Sequence, residues 1–190
     1  MQKQEIRSFY LVDKVDNHNE INRTLLEFFN NVPFNDKPMS QDYNSSANYT
    51  DSISKLDWGR AKDMSRDWVQ YFLPKIERNI TNMMNAVGYS SFIVPEVWFQ
   101  QYRKKDRHNW HFHGGNFTAV YYVEHDENTS PKTELLEPYS LNTVAPNLYE
   151  GDLLLFPSHV IHRAPSMVFC NRKTIVSFNV DCRSLQEYLC

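Results

Sequence analysis

The sequence predicts a mainly β domain with flanking helices, of the α+β class, and three observations carry that prediction. Apolar residues repeat at helical spacing up to about residue 90. From about residue 91 they fall instead into short alternating or continuous stretches. Gly, Pro, Asn and Asp separate those stretches, as between the strands of a sandwich or barrel. With 190 residues the chain reads as one domain, a support region over 1–90 followed by a β core over 91–182.

Each element has its own signal. "IRSFYLVDKV" (6–15) is rich in branched and aromatic residues and predicts a strand. "NEINRTLLEFFNN" (19–31) puts Ile21, Leu25, Phe28 and Phe29 on one helical face. Residues 32–52 are polar turn formers and predict a loop. "SRDWVQYFLPKIERNITNMMNAVGY" spaces Trp68, Phe72, Ile76, Ile80, Met83 and Val87 by three and four, which predicts a long core-facing helix. Ser65 is its candidate N-cap, Gly88 its stop, and Pro74 predicts a kink or break. Four strands follow, in "SSFIVPEVWFQQYRK", "NFTAVYYVE", "GDLLLFP" and "RKTIVSFNVD".

Net charge is −3, so nothing demands a polyanionic partner and nucleic acid is not expected. The three cysteines, Cys170, Cys182 and Cys190, are odd in number and lack CxxC spacing, which suits a reducing compartment. No apolar run approaches the ~18 residues of a membrane span. The opening residues lack the apolar core of a secretory signal. A cytoplasmic location is the expectation.

The chemistry concentrates in "HNWHFHGG" (108–115). On a strand, His111 and His113 would project from one face, with Trp110 and Phe112 packing on the other. Two imidazoles side by side can grip one metal ion; a pair of ordinary polar residues on a surface strand is the plain alternative. Downstream, "EGDLLLFPSHVIHRAP" reads as a turn, a buried strand, and then His159 and His162. Three imidazoles from two strands would leave coordination positions open, the mark of a catalytic site. Arg172 opens the last strand ten residues after His162. Inside a barrel it would need a partner, and its fork suits a carboxylate; the alternative is an exposed strand end. Gly114 and Gly115 either leave room beside a metal or form a turn or bulge. The basic run "YRKKDRH" (102–108) would steer an anionic ligand or be a solvated loop.

Together, "VWFQQYRKKDRHNWHFHGGNFTAVYYVE", "GDLLLFPSHVIH" and "RKTIVSFNV" resemble the 2-oxoglutarate- and Fe(II)-dependent oxygenases, specifically small members whose metal motif reads HxH in place of HxD. The resemblance spans about residues 95–181 and rests on the ordered set, since HxH alone also occurs in cupins. It implies a double-stranded β-helix, or jelly-roll barrel. By the same resemblance His111, His113 and His162 are metal ligands and catalytic, while Arg172 and Tyr122 hold the far carboxylate of 2-oxoglutarate. Tyr102 lines the cosubstrate pocket. The implied activity is a dioxygenase, a hydroxylase, that couples decarboxylation of 2-oxoglutarate to succinate and CO2 with oxidation of a small molecule or protein side chain by O2. Ascorbate would stimulate it.

The departure lies at His113, where most relatives have a carboxylate. Fe(II) with three neutral histidines keeps its charge of +2, so dianionic 2-oxoglutarate makes a neutral complex. Two alternatives follow: a carboxylate from Asp106, Glu124 or Asp181 joins the metal, or the barrel is a cupin-like Zn(II) site acting as a hydrolase or binding module. His108 and His159 read as surface residues or as groups behind the ligands; His18 and His125 carry no assignment. The N-terminal helices either shape the substrate pocket or form a homodimer interface.

Overall fold

The computed structural model describes residues 7–32 and 51–182. In chain order these form β1 (Leu11–Lys14), α1 (His18–Asn30), β2 (Lys55–Leu56), a 3-10 turn (Trp58–Arg60), α2 (Asp67–Ala86), β3 (Phe92–Tyr102), β4 (His108–His111), β5 (Phe117–Glu124), β6 (Glu134–Leu136), β7 (Thr143–Val144), β8 (Asp152–Pro157), β9 (His162–Ala164) and β10 (Lys173–Cys182). A six-stranded sheet runs β1-β8-β5-β10-β3-β2 and a four-stranded sheet runs β4-β9-β6-β7. The pairings are antiparallel.

Strands β5 and β8 lie inside the larger sheet and are covered on both faces, which is why AVYYV and LLLF run apolar without interruption, whereas β3 and β10 carry polar residues such as Gln100, Ser177 and Asn179. Successive side chains leave a strand on opposite sides. Tyr121, Val123, Leu153, Leu155, Val176, Phe178 and Val180 meet Phe72, Ile76 and Leu25 of the two helices in one core. Val120, Tyr122, Leu154, Phe156 and Ile175 point the other way, into a second core with Leu135, Val160 and Ala164 beneath the smaller sheet. The helices therefore back the larger sheet on the face opposite the barrel interior.

Helix α2 ends as its sequence demands. Gly88 adopts φ +91°, its N–H donates to the Asn85 carbonyl, and the Tyr89 N–H reaches back to Met84. This is a Schellman stop, which needs a residue free of a Cβ penalty. The start differs from expectation. Arg66 holds the N-cap position and the Ser65 hydroxyl bonds Asp63 instead. Pro74 lies inside a helix that stays continuous; the carbonyl its ring leaves unbonded belongs to Gln70, an exposed residue that water can serve. The strand expected over 6–15 shrinks to Leu11–Lys14, the part that pairs with β8. The loop expected over 32–52 lies outside the described residues except at its ends, where Ser52 bridges Arg107.

The segment after that loop is tied down at both sides. The Lys55 ammonium donates to the last carbonyls of α1, Phe29 at 3.1 Å and Asn30 at 3.3 Å, where the helix dipole favours a cation. Asp57 accepts from the Phe99 amide, the Trp68 indole and Arg66. These bonds fix the 3-10 turn, and with it Trp58, against β3.

Gly151 is needed for two reasons. Its φ is +80°, and a Cβ there would fall 2.3–2.5 Å from the His18 ring. Gly151→Ala should therefore cost about 2 kcal/mol or more and lower Tm by roughly 4–8 °C. A thermal melt reads this directly, and an unchanged Tm would refute the close approach of His18.

Candidate metal centre and cosubstrate pocket

His111 on β4 and His162 on β9 are direct cross-strand partners in an antiparallel pair, a geometry that places side chains a few ångströms apart on one face. Their ring centroids lie 4.2 Å apart, and each lies 5.1 Å from the ring of His113 just beyond β4. One ligand nitrogen from each of the three falls within 4.8 Å of the others. Imidazole bonds of ~2.1 Å hold two nitrogens at most ~4.2 Å apart, so the rings would draw together slightly around an ion.

Backbone carbonyls set two of the tautomers. The Asn109 carbonyl lies 2.6 Å from His111 Nδ1 and the Val160 carbonyl 3.0 Å from His162 Nδ1. A carbonyl only accepts, so each Nδ1 carries the proton and each Nε2 is left with its lone pair. Burial, first of all, pushes all three histidines below the ordinary imidazole pKa, His113 to about 4. The cluster is neutral at pH 7, as ligands must be.

His108 stands behind this triad. Its ring stacks on His111 at 3.7 Å. Gln100 Nε2 donates to its Nδ1 at 3.3 Å, Ser177 fixes the Gln100 amide at 3.2 Å, and Asp51 lies 3.4 Å from His108 Nε2. His159 is exposed. None of the three candidate carboxylates joins the cluster. Asp106 accepts from Ser52, Ser54 and the Arg103 amide in a turn, Glu124 pairs with Arg172, and Asp181 lies in the outer cleft.

Arg172 does not reach the histidines. Its guanidinium forks onto Glu124 at 2.6 and 3.1 Å in a hollow on the helix side, with Asn19 and Arg23. The next residue faces inward. Lys173 is 1% exposed, its Nζ lies 5.9 Å from the Tyr102 ring and 5.6 Å from the Tyr122 ring, and it donates to the Pro131 carbonyl at 2.7 Å. No carboxylate pairs with it among the described residues, and burial lowers its ammonium to about 7. Tyr102 is fully buried with its hydroxyl unpartnered, and the Tyr122 hydroxyl bonds Thr133. A narrow crevice runs from His111, His113 and His162 to Tyr102 and Thr133. Tyr102 lines this crevice with the histidines and Tyr122 reaches its wall through Thr133, while Arg172 faces the helix side and Lys173 the interior. A signal was present: Lys173, Ile175, Ser177 and Asn179 form the mixed face of β10, and the apolar face is Val176, Phe178 and Val180.

Trp110 and Phe112 do not pack behind the histidines; they are exposed, and Trp110 lies under the Arg163 guanidinium at 4.4 Å. Among the described residues, no layer covers the outer face of the smaller sheet to receive them. Outside the triad opens a cleft of about 690 Å³ with Trp58, Trp98, Glu96, Phe112 and Asp181 among its walls. Gly115, at φ +96°, makes the turn in this wall, and a Cβ there would meet Asp181 Oδ1 at 2.5 Å. The basic residues Arg103, Lys104, Lys105 and Arg107 do not line the cleft. The first ninety residues contribute to it through the segment around Trp58, not through their helices.

No protein-family model and no curated protein sequence matches the chain. Solved structures do match. A viral collagen prolyl hydroxylase from Paramecium bursaria Chlorella virus-1, in complex with 2-oxoglutarate, aligns over 93% of this chain and 97% of that one, with TM-score 0.63 and 10% identity. An oxidoreductase of the 2OG-Fe(II) oxygenase family from Burkholderia pseudomallei aligns over 90% and 84%, with TM-score 0.67 and 11% identity. This chain has the double-stranded β-helix fold of the 2-oxoglutarate oxygenases. HygX from Streptomyces hygroscopicus, with nickel, 2-oxoglutarate and hygromycin B bound, aligns over 92% of this chain and 83% of that one, with TM-score 0.65 and 8% identity. No helix among the described residues is long and apolar enough to cross a membrane.

Proposed function

We propose that the protein is an Fe(II)- and 2-oxoglutarate-dependent dioxygenase, a hydroxylase, with His111, His113 and His162 as the metal ligands. The observation that carries this reading is the buried Lys173 ammonium 5.9 Å from the ring of Tyr102, a residue that lines the crevice beginning at the three histidines and whose hydroxyl has no partner among the described residues. A buried cation without a carboxylate is costly. A dicarboxylate that chelates a metal at one end and meets Lys173 at the other removes that cost. A water-activating Zn(II) site has no use for such a cation, which disfavours the hydrolase reading.

Bound together, Fe(II), 2-oxoglutarate and O2 supply the oxidising chemistry, with succinate and CO2 as products. The chain does the rest. His111 and His162 present Nε2 because carbonyls occupy Nδ1. His108 and Gln100 brace His111 from behind. Lys173 would pair with the far carboxylate, and the Tyr102 hydroxyl would donate to it. The Tyr122–Thr133 pair closes that end of the pocket, so Tyr122 positions and Arg172 plays no part. Leu154, Phe156 and Ile175 keep water out, and the cleft beyond the histidines admits the substrate.

Anaerobic titration of the Fe(II)-loaded protein with 2-oxoglutarate tests this reading. A saturable visible charge-transfer band is expected, as is slow succinate formation in air, stimulated by ascorbate. Neither band nor succinate from a folded, Fe(II)-loaded protein would overturn it.

Lys173 also sets a pH dependence. With its pKa pulled down to about 7, the free protein loses this charge as pH rises from 7 to 9, whereas the carboxylate complex needs it protonated. Binding then takes up a proton, and the Kd for 2-oxoglutarate should rise by up to about tenfold per pH unit above 7 and stay flat just below it. Titrations at pH 7, 8 and 9 check this. A flat profile would mean that Lys173 does not meet the carboxylate.

A further inference from the structure

The outer cleft has a charge and a surface that the metal chemistry does not require. Glu96 and Asp181 line it from the neighbouring, paired strands β3 and β10. Asp181 uses Oδ1 to accept the Asn116 amide at 3.2 Å, and its Oδ2 has no partner among the described residues. Glu96 accepts from Asn179 at 2.8 Å. Lys62 is the cation among the lining residues, 3.6 Å from Glu96 with a side chain 84% exposed, so it neutralises little. Beside the carboxylates, Trp58 packs edge-on against Trp98 at 4.4 Å, and Trp58 and Phe112 stay 41% and 67% exposed. Aromatic faces next to carboxylates are the setting in which a cation is bound.

We infer that the substrate of this site, on the hydroxylase reading proposed above, carries an organic cation, an alkylammonium or guanidinium, held against Trp58 by the carboxylates of Glu96 and Asp181. An anion would meet both carboxylates. An uncharged apolar substrate would desolvate both and leave Asp181 Oδ2 without a partner. Two sources share this chemistry, a free amine and a basic side chain of a peptide.

Tryptophan emission of the full-length chain, with and without Zn(II) as a redox-silent metal, provides a test independent of turnover. The probes are choline, its uncharged isostere 3,3-dimethylbutanol, and a capped Gly-Lys-Gly peptide. Choline or the peptide should bind at least about tenfold more tightly than the isostere, and the tighter of the two identifies the source. Asp181→Asn combined with Glu96→Gln should remove the preference, and Trp58→Leu should weaken cation binding by about two- to fivefold. Equal binding of the isostere, or no saturable response to either cation, would overturn the inference. Because no Fe(II) or 2-oxoglutarate is used, that failure would leave the hydroxylase reading standing. Loss of the 2-oxoglutarate band with cation binding intact would do the reverse.

Discussion

Lys173→Met should weaken 2-oxoglutarate binding by about 100-fold or more, while Arg172→Met leaves it within about twofold. The two residues are neighbours in sequence and opposites in the fold. Arg172 is already satisfied by Glu124 at 2.6 Å on the helix side of the sheet. Lys173 is buried against Tyr102 and Tyr122 with a lone carbonyl as partner. Removing one member of a buried charge pair typically costs ~3 kcal/mol or more, a factor of about 100 in Kd. Methionine keeps most of the apolar volume, and in the free protein it removes an unpaired buried ammonium. Lys173→Met should therefore melt no lower than the parent, which separates lost binding from lost folding. Anaerobic titration of the Fe(II)-loaded variants reads the effect. A large loss in Arg172→Met with none in Lys173→Met would return the anchor to Arg172 and dismantle the pocket described here.

His162→Ala should abolish stable metal binding, with Fe(II) affinity falling by more than about 100-fold, beyond the 10–100-fold typical of groups behind the ligands. His162 is the buried member of the triad, faces His111 across the β4–β9 pair, and has its tautomer fixed by Val160. His108→Ala removes the ring stacked on His111 and should cost about tenfold, and His159→Ala should cost nothing. Iron retained per chain after anaerobic gel filtration checks the order. Full retention in His162→Ala would mean the three imidazoles are a packed cluster and not a metal centre.

Much of the fold was legible because its signals are local. Gly88 had to stop α2, since the αL turn it makes favours a residue with no Cβ. Strand β8 announced burial on both faces, since Leu153–Phe156 run apolar without a break. The short strands β2, β6, β7 and β9, two or three residues each, carry too few residues for any period. Trp110 and Phe112 misled because alternation shows that they oppose the histidines, not whether anything lies on that side.

By itself, the sequence determined the order of the two helices and the long strands, and the gathering of metal-competent histidines around His111 and His162. Tertiary structure alone decided which face of each strand looks inward. Alternation along β10 separates Arg172 from Lys173 wherever the strand lies, but the packing of α1 and α2 on one side chooses Lys173 for the barrel. It also decided that His111 sits opposite His162, because the register of β4 on β9 joins residues fifty-one positions apart. Such pairing depends on what each strand meets in space, and no local period along the chain encodes it.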